Sequence, residues 1–402
     1  MTKDLQQFRH EVRAWIGDNK PAKPDFVLPQ SFLEVETRPQ FEYLRDWQRK
    51  VYDAGYLGFD VPEKYGGRGV DPARQAIVTQ ELGAAQTPFL INVIGLSWAG
   101  PTILVYGTED QKTRRLPPML SGEEIWCQGF SEPGAGSDLA SLQTRADKTD
   151  TGWNVTGHKV WTTLGHFAKW MILLARTDPA VNKYAGLSYF VFPMDVPGVT
   201  VEPLVKITRE GGFNQVIFDN APMPEDALLG KLGDGWKVAM TTLTFERGAA
   251  QSSDRHRATQ DRQQLLQVVE LAKKARRDGR AAFDDPVIGD KLAQLWIDAE
   301  AMVLSTQRAG VSGLCSDRPT ALAMMHKLLF SEFYQRLSRV ACEALGPESM
   351  LWMDDPNAPD NAEWPRAFLN SYGFTIGGGT SEVQRNILGE RVLGLPKSTT
   401  TK

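Results

Sequence analysis

Cysteine is scarce: three in 402 residues, Cys127, Cys315 and Cys342, far apart and in no metal or disulfide spacing. That pattern excludes a disulfide framework and a cysteine zinc module, and it leads us to expect a reduced, cytoplasmic setting. Histidine is nearly as rare, with five residues. His158, His166 and His326 fall in no triad or ligand spacing, so packing or surface roles are expected of them and no metal site is expected. No apolar run approaches the length of a bilayer span. Nor is there an excess of one charge: the net value is −4, which gives no support to a nucleic-acid role. The opening "MTKDLQQFRHEVRAWIGDNK" is amphipathic and carries acids, unlike a signal or transit peptide.

What is present changes texture twice along the chain. Over residues 1–124 apolar residues recur at helical spacing, as in Phe8, Val12, Trp15 and Ile16, then Phe41, Leu44, Trp47 and Val51. Residues 125–234 carry short β-branched and aromatic runs between turns, such as "GWNVTGHKVWTT", "WMILLART" and "GLSYFVFPM". From 235 to 402 long periodic segments return, and helices are expected over 236–251, 262–277, 287–313 and 320–345. "GPESMLWMDDPNAPDNAEWP" reads as loop. Helical, β and helical thirds suggest helix bundles around an inserted β domain, whose junctions commonly hold cofactors.

Two glycine-bearing stretches look built to hold a ligand. In "CQGFSEPGAGSDLASLQTRA", Gly134 and Gly136 expose backbone amides, while Ser131 and Ser137 offer hydroxyls to a carbonyl or phosphate. Taken alone, a lone Gly-x-Gly reads more readily as an ordinary tight turn. Near the C-terminus, "YGFTIGGGTSEVQRNILGERVLGLP" sets Gly377, Gly378 and Gly379 before Thr380 or Ser381, either of which can cap a helix carrying Val383, Ile387 and Leu388. No acid, base or nucleophile stands at those glycines. Trp161, within "GHKVWTT", would by itself be expected in a core.

Together, the "EPGAGSD" loop at 132–138, the "GHKVWTT" strand at 157–163 and the "GTSEVQR" run at 379–385 resemble the acyl-CoA dehydrogenase family over essentially the whole chain. The resemblance implies an α+β, mainly helical architecture: an N-terminal helical bundle (1–124), a small β-barrel-like middle domain (125–234) and a C-terminal four-helix bundle (235–402). It also implies tightly bound FAD and a homotetramer made as a pair of dimers. Gln128, Phe130 and Ser131 match positions along the flavin. Gly136 and Ser137 match positions near the cofactor pyrophosphate and the CoA arm of the substrate. Trp161 and Thr163 match positions at the flavin ring, and Thr380 and Glu382 match contacts near the C-terminus. In "GRAAFDDP", Arg280 and Phe283 match an Arg and a Phe that the family places on the FAD of the neighbouring subunit, with Asp284 where a glycine is usual. In "ACEALGP", Glu343 stands where the family often has a pyrophosphate-binding glutamine, and an acid there should repel the phosphates.

Chemistry of this family requires a base for the proton alpha to a thioester carbonyl. Many members carry it as a glutamate just before the "GTS" motif, but that position here is Gly378. Gly378 and Gly379 are then left with backbone contacts to the substrate, the N–H of Gly378 donating to the thioester carbonyl. Isovaleryl-type and some sterol side-chain enzymes supply the base from a helix instead, and that position matches Glu246 in "LTFERGAA". Glu246 is therefore the candidate base, against the plainer reading of a helical acid paired with a surface cation. Arg247 is a candidate anchor for substrate or for a partner subunit. The small Ala249 and Ala250, with the glycines, would leave room for branched, long-chain or polycyclic acyl groups.

Three readings follow. The first is FAD-dependent α,β-dehydrogenation of an acyl-CoA, with electrons passing to an electron-transfer flavoprotein. The second is a flavin oxidase or monooxygenase on the same fold. The third is one chain of a heterotetramer in which two different subunits complete the site, which Glu343 and Asp284 make credible.

Overall fold

Helices begin where the chain supplies a cap. In the computed structural model, which describes residues 2–246, 254–309, 311 and 321–396, with the main chain alone for 254–260, 309 and 321–324, Thr2 opens α1 (Lys3–Asn19) by accepting from the N–H of Leu5. Thr37 with Gln40 forms a capping box for α2 (Arg38–Asp53). Asp71 accepts from Ala73 and Arg74 to start α3 (Pro72–Ala84), whose first residue is a proline already fixed at helical φ. A π-helical turn, Gly95–Ala99, leads into α4 (Gly100–Tyr106), and a second Thr–Gln capping box, Thr108 and Gln111, starts α5 (Glu109–Ser121). The buried Glu81 of α3 takes hydrogen bonds from Arg9 and Arg13 of α1 and so pins the two helices together.

The middle third forms one seven-stranded sheet: β1 (Trp126–Gly129), β2 (Arg145–Lys148), β3 (Gly152–Thr163), β4 (Trp170–Arg176), β5 (Leu187–Pro193), β6 (Val199–Leu204) and β7 (Phe213–Pro224). β3, β7 and β6 are antiparallel neighbours, and β2 lies on the other edge of β3. β4 is central to the second half: β5 pairs antiparallel with it, while β1 and then β2 pair with it in parallel. β4 and β5 are buried along nearly their whole length, as continuous apolar runs should be. α6 (Gly235–Glu246) returns across this sheet, and it lies so close to β5 that a Cβ on Gly235 would stand 2.5 Å from Cα of Ser188.

The chain divides into two compact units after Glu246. The second contains α7 (Asp254–Lys274), a short β8–β9 hairpin (Arg276–Arg277 and Arg280–Ala281), α8 (Pro286–Ala309), α9 (Ala321–Leu345), α10 (Glu363–Ile376) and α11 (Ser381–Ile387). Leu265, Val268 and Ala272 of α7, Ile288, Leu292, Leu295 and Ala299 of α8, Phe333, Leu337 and Val340 of α9, and Trp364 of α10 share one core. Their three-and-four spacing is that of a helix bundle, and each of the Val, Leu, Ile and Phe side chains contributes about 2 kcal/mol by leaving water. Among the described residues no helix is long and apolar enough to cross a membrane.

The α+β, mainly helical architecture expected from the sequence is observed. One helix boundary is corrected. The helix expected over 262–277 is already formed at Asp254, where the described residues resume, and it stops at Lys274, because Asp278 (φ 50°) and Gly279 (φ 81°) close a tight hairpin turn. Asp-Gly favours that turn, and it outweighs the helical pattern running into it. The expected loop at 346–365 carries two short 3-10 turns, Gly346–Met350 and Pro359–Ala362, and its last three residues, Glu363–Pro365, already form the first turn of α10.

Candidate active site

Alternation along β1 decides what reaches α6. Trp126 joins the core shared with α6, while Cys127 points into the opposite core, so Gln128 follows Trp126 toward the helix. On α6, Val238, Ala239 and Thr242 are buried and Leu243 packs against the same core. Glu246 is the next residue on that face. Its carboxylate oxygen Oε2 accepts a hydrogen bond from Gln128 Nε2 at 3.3 Å. Beneath it the buried Tyr189 hydroxyl lies 2.9 Å from Thr242 Oγ1, which lies 3.0 Å from Thr102 Oγ1 of α4. Burial, and then the nearby Glu246 charge, push the Tyr189 phenol up, so it stays protonated. Phe130 packs edge-on against Tyr189.

After β1 the chain enters the glycine-bearing loop, which a buried ion pair holds from below. Lys159 Nζ, on β3, donates to the carbonyl of Phe130 and to Glu132 Oε1, both at 2.9 Å. Glu132 also accepts from the N–H groups of Gln143 (2.6 Å) and Thr144 (2.8 Å). Burial pushes the Lys159 ammonium down to about 8, with Glu132 pulling it back. Burial works against the Glu132 charge as well, but Lys159 and the main-chain donors hold its carboxyl below the ordinary value. The N–H of Val160 donates to the carbonyl of Ser131 at 2.9 Å. On the far side Asp138 pairs with Lys183 at 2.8 Å, and Arg176 donates to the carbonyls of Ala140 and Leu142. Between these clamps Gly134, Gly136 and Ser137 are exposed, and the space beside both glycines is open: a Cβ would meet nothing within 4 Å.

Trp161 is not the core residue that its place in a strand suggests. The register of β3 on β7 slips between Lys159 and Thr162, Trp161 takes φ 60°, and its side chain is 60% exposed. A left-handed conformation at a bulky residue costs of order 1–3 kcal/mol and marks a site held by its surroundings. The indole and the Phe213 ring meet at right angles with their centroids 5.8 Å apart. Thr163 is buried in the ladder opposite Phe213.

The second unit holds the other candidates. Gly378 (φ 66°) and Gly379 (φ 91°) adopt conformations that a side chain would oppose. Their carbonyls are fixed, Gly378 O by Gln384 Nε2 at 2.8 Å and Gly379 O by Lys327 Nζ at 2.5 Å. Thr380 caps α11 by accepting from the N–H of Val383 at 3.2 Å. Main-chain and Thr380 hydrogen bonds hold the exposed Glu382 carboxyl below the ordinary value. Arg280 and Phe283 are exposed beside the Asp-Gly hairpin. Glu343 does not stand as a bare acid: Lys291 Nζ meets it at 2.5 Å and compensates its charge. Arg247, Ala249 and Ala250 lie outside the described residues. Among those described, no cluster of three His, Cys, Asp or Glu side chains is placed to hold a metal.

Gln128, Phe130 and Glu246 are thus brought together in the first unit, with Ser131, Gly136 and Ser137 following on the same loop. Two residues that build this arrangement carry little sequence signal. Lys159 looks like any strand lysine, and no local pattern points it inward. Tyr189 lies in the mostly apolar run of β5, and its hydroxyl partner Thr242 is 53 residues away in the sequence.

Comparison with known proteins covers the whole chain. The family models for the acyl-CoA dehydrogenase N-terminal, middle and C-terminal domains match residues 2–123, 127–221 and 233–393. The chain is 38% identical over 394 residues to acyl-CoA dehydrogenase IpdE1 of Mycobacterium tuberculosis, covering 98% of each. It is 32% identical over 358 residues to the human mitochondrial short-chain specific acyl-CoA dehydrogenase, covering 86% of this chain and 82% of that one. Among solved structures it resembles the Tcur3481-Tcur3483 steroid ACAD (TM-score 0.80, 26% identity, 99% of both chains). It also resembles the ChsE4-ChsE5 complex of Mycobacterium tuberculosis (TM-score 0.78, 27% identity, 99% of both chains).

Proposed function

Because the chain belongs to the acyl-CoA dehydrogenase family, whose members are FAD-dependent oxidoreductases acting on acyl-CoA, we propose that it converts an acyl-CoA thioester to the trans-2-enoyl-CoA with Glu246 as the base. The observation that carries this reading is the place of Glu246. Its carboxylate ends the buried face of α6 and touches Gln128, on the strand that runs into the "FSEPGAGS" loop.

The loop fits the cofactor. Gly134 and Gly136 leave open space beside the backbone, Trp161 offers a strained, exposed aromatic face, and Gln128 Oε1 is buried with no partner among the described residues. Gln128, Phe130, Ser131, Gly136, Ser137, Trp161 and Thr163 would hold FAD; by the family resemblance Thr380 and Glu382 are assigned cofactor contacts, and Arg280 and Phe283 contacts to the FAD of a neighbouring subunit. When bound, FAD supplies the acceptor for the hydride that leaves the β-carbon. Glu246 works at the α-carbon. That carbon acid is weak, so its proton moves only to a base held within hydrogen-bond reach. Ser137 is assigned to the CoA arm, and the N–H groups of Gly378 and Gly379 to the thioester carbonyl, where they stabilise enolate-like charge.

For the acyl group we propose a bulky, polycyclic chain of steroid type, supported by the absence of side chains at Gly377–Gly379 and by a structural relative described as a steroid enzyme. The same reading takes an electron-transfer flavoprotein as redox partner, a cytoplasmic location and a tetrameric assembly. Two solved relatives are described by the names of two different chains, which favours a heterotetramer over a homotetramer.

Anaerobic mixing of the yellow protein with acyl-CoA thioesters, from butyryl to sterol side-chain, tests the reading. Bleaching of the flavin by a bulky member, lost in Glu246→Gln with FAD retained, supports it. Near-normal bleaching of that variant refutes the base, and strict preference for butyryl-CoA refutes the substrate class. A chain that purifies colourless but takes up FAD with a second family member establishes the heteromeric form.

A further inference from the structure

Gln128 does more than line a cofactor site. We infer that it is a positioning residue for Glu246, fixing the carboxylate through its side-chain amide; the inference rests on the reading of Glu246 as base. The geometry is specific. β1 is pinned by its parallel register on β4, with Gln128 opposite Ile172. Its alternation sends the Gln128 side chain to the α6 face. Nε2 then donates to Glu246 Oε2 at 3.3 Å, and Oε1 is left buried without a partner among the described residues. The amide orientation follows from chemistry: turned over, it would set a carbonyl oxygen against a carboxylate.

The neighbours facing Glu246 explain why such a donor matters. Glu246 lies in the last described turn of α6. Tyr189 and Thr242 lie beneath it but spend their hydroxyls on each other and on Thr102. The Gln128 amide donates to this carboxylate, and an N–H given to a carboxylate favours its charged, base-competent form. It also restricts the rotation of a side chain whose reach to a carbon-bound proton must be right to a fraction of an ångström.

Gln128→Met keeps length and removes the donor. With the thioester that bleaches the native protein, flavin reduction should slow about tenfold, the effect of one lost hydrogen bond to a charged group. The acid limb of its pH profile should move upward, measured on the FAD-loaded variant, with binding of the matching non-enolisable thioether analogue unchanged. In a Glu246→Gln background the substitution should change nothing further. A native rate in the FAD-loaded variant, or effects that simply multiply, would overturn the inference. If Glu246→Gln itself reduces normally, the base reading has failed instead. Should Gln128→Met not fold, Gln128→Asn, one methylene too short, should show the same loss, and a native rate there overturns the inference. One measurement needs no substrate: infrared difference titration of the carboxyl band that Glu246→Gln abolishes. That band should titrate at higher pH in either Gln128 variant than in the native protein, and an unchanged titration contradicts the proposal.

Discussion

Replacing Lys159 with Met should unfasten the glycine-bearing loop from the sheet. Methionine fills the aliphatic volume, so little cavity forms, and the cost is electrostatic. Removing one partner of a buried ion pair costs about 3–5 kcal/mol, since the other charge is left without compensation. Glu132 keeps its two short main-chain hydrogen bonds, from Gln143 and Thr144, which places the loss at the lower end. The carbonyl of Phe130 also loses its donor, adding about 1 kcal/mol. The expected loss is therefore about 3–4 kcal/mol, read from urea unfolding followed by tryptophan fluorescence. Adding Glu132→Gln removes the stranded charge, so the double variant should be more stable than the sum of the single losses by about 1–2 kcal/mol. Because Lys159 holds the carbonyl next to Ser131, FAD should also dissociate more readily. A loss under about 1 kcal/mol, or strictly additive losses, would refute this account of the loop.

Gly235→Ala should destabilise by about 2–3 kcal/mol, because the new Cβ would stand 2.5 Å from the main chain of Ser188 and force α6 off β5; thermal unfolding reports it. Trp161→Gly relieves a left-handed backbone and should leave stability within about 1 kcal/mol of native or above it, while FAD content falls; retained FAD would remove Trp161 from the cofactor site. The Glu132 carboxyl is held below its ordinary value in the folded chain, so its contribution is complete above the unfolded value and is lost as pH falls through the folded one. Acid unfolding of Glu132→Gln should accordingly depend less steeply on pH below about 4.5 than that of the native protein, a flattening that equilibrium unfolding across pH measures.

Much of the fold was legible because period is a property of sequence. Helical spacing located the bundles, and alternating or continuous apolar runs located the sheet. The hairpin after Lys274 was misread as helix although Asp278-Gly279 announces it, since a long amphipathic pattern runs up to the turn. The candidate site was legible in types but not in contacts. Glu246 and Gln128 are 118 residues apart, and only the crossing of α6 over β1 brings them together. Trp161 was expected inside by its strand context, and its exposure depends on a slip in the β3–β7 register that no local pattern reveals. Glu343 reads as an unfavourable acid until α8 brings Lys291 beside it.

The measurement that tests the central claim most directly is stopped-flow reduction of the bound flavin, under argon, by the acyl-CoA that bleaches the native protein, comparing native and Glu246→Gln. Loss of reduction by several orders of magnitude, with FAD and thioester still bound, is the expected result. Reduction at a rate close to native would contradict the account, because the α-proton would then leave by way of another base.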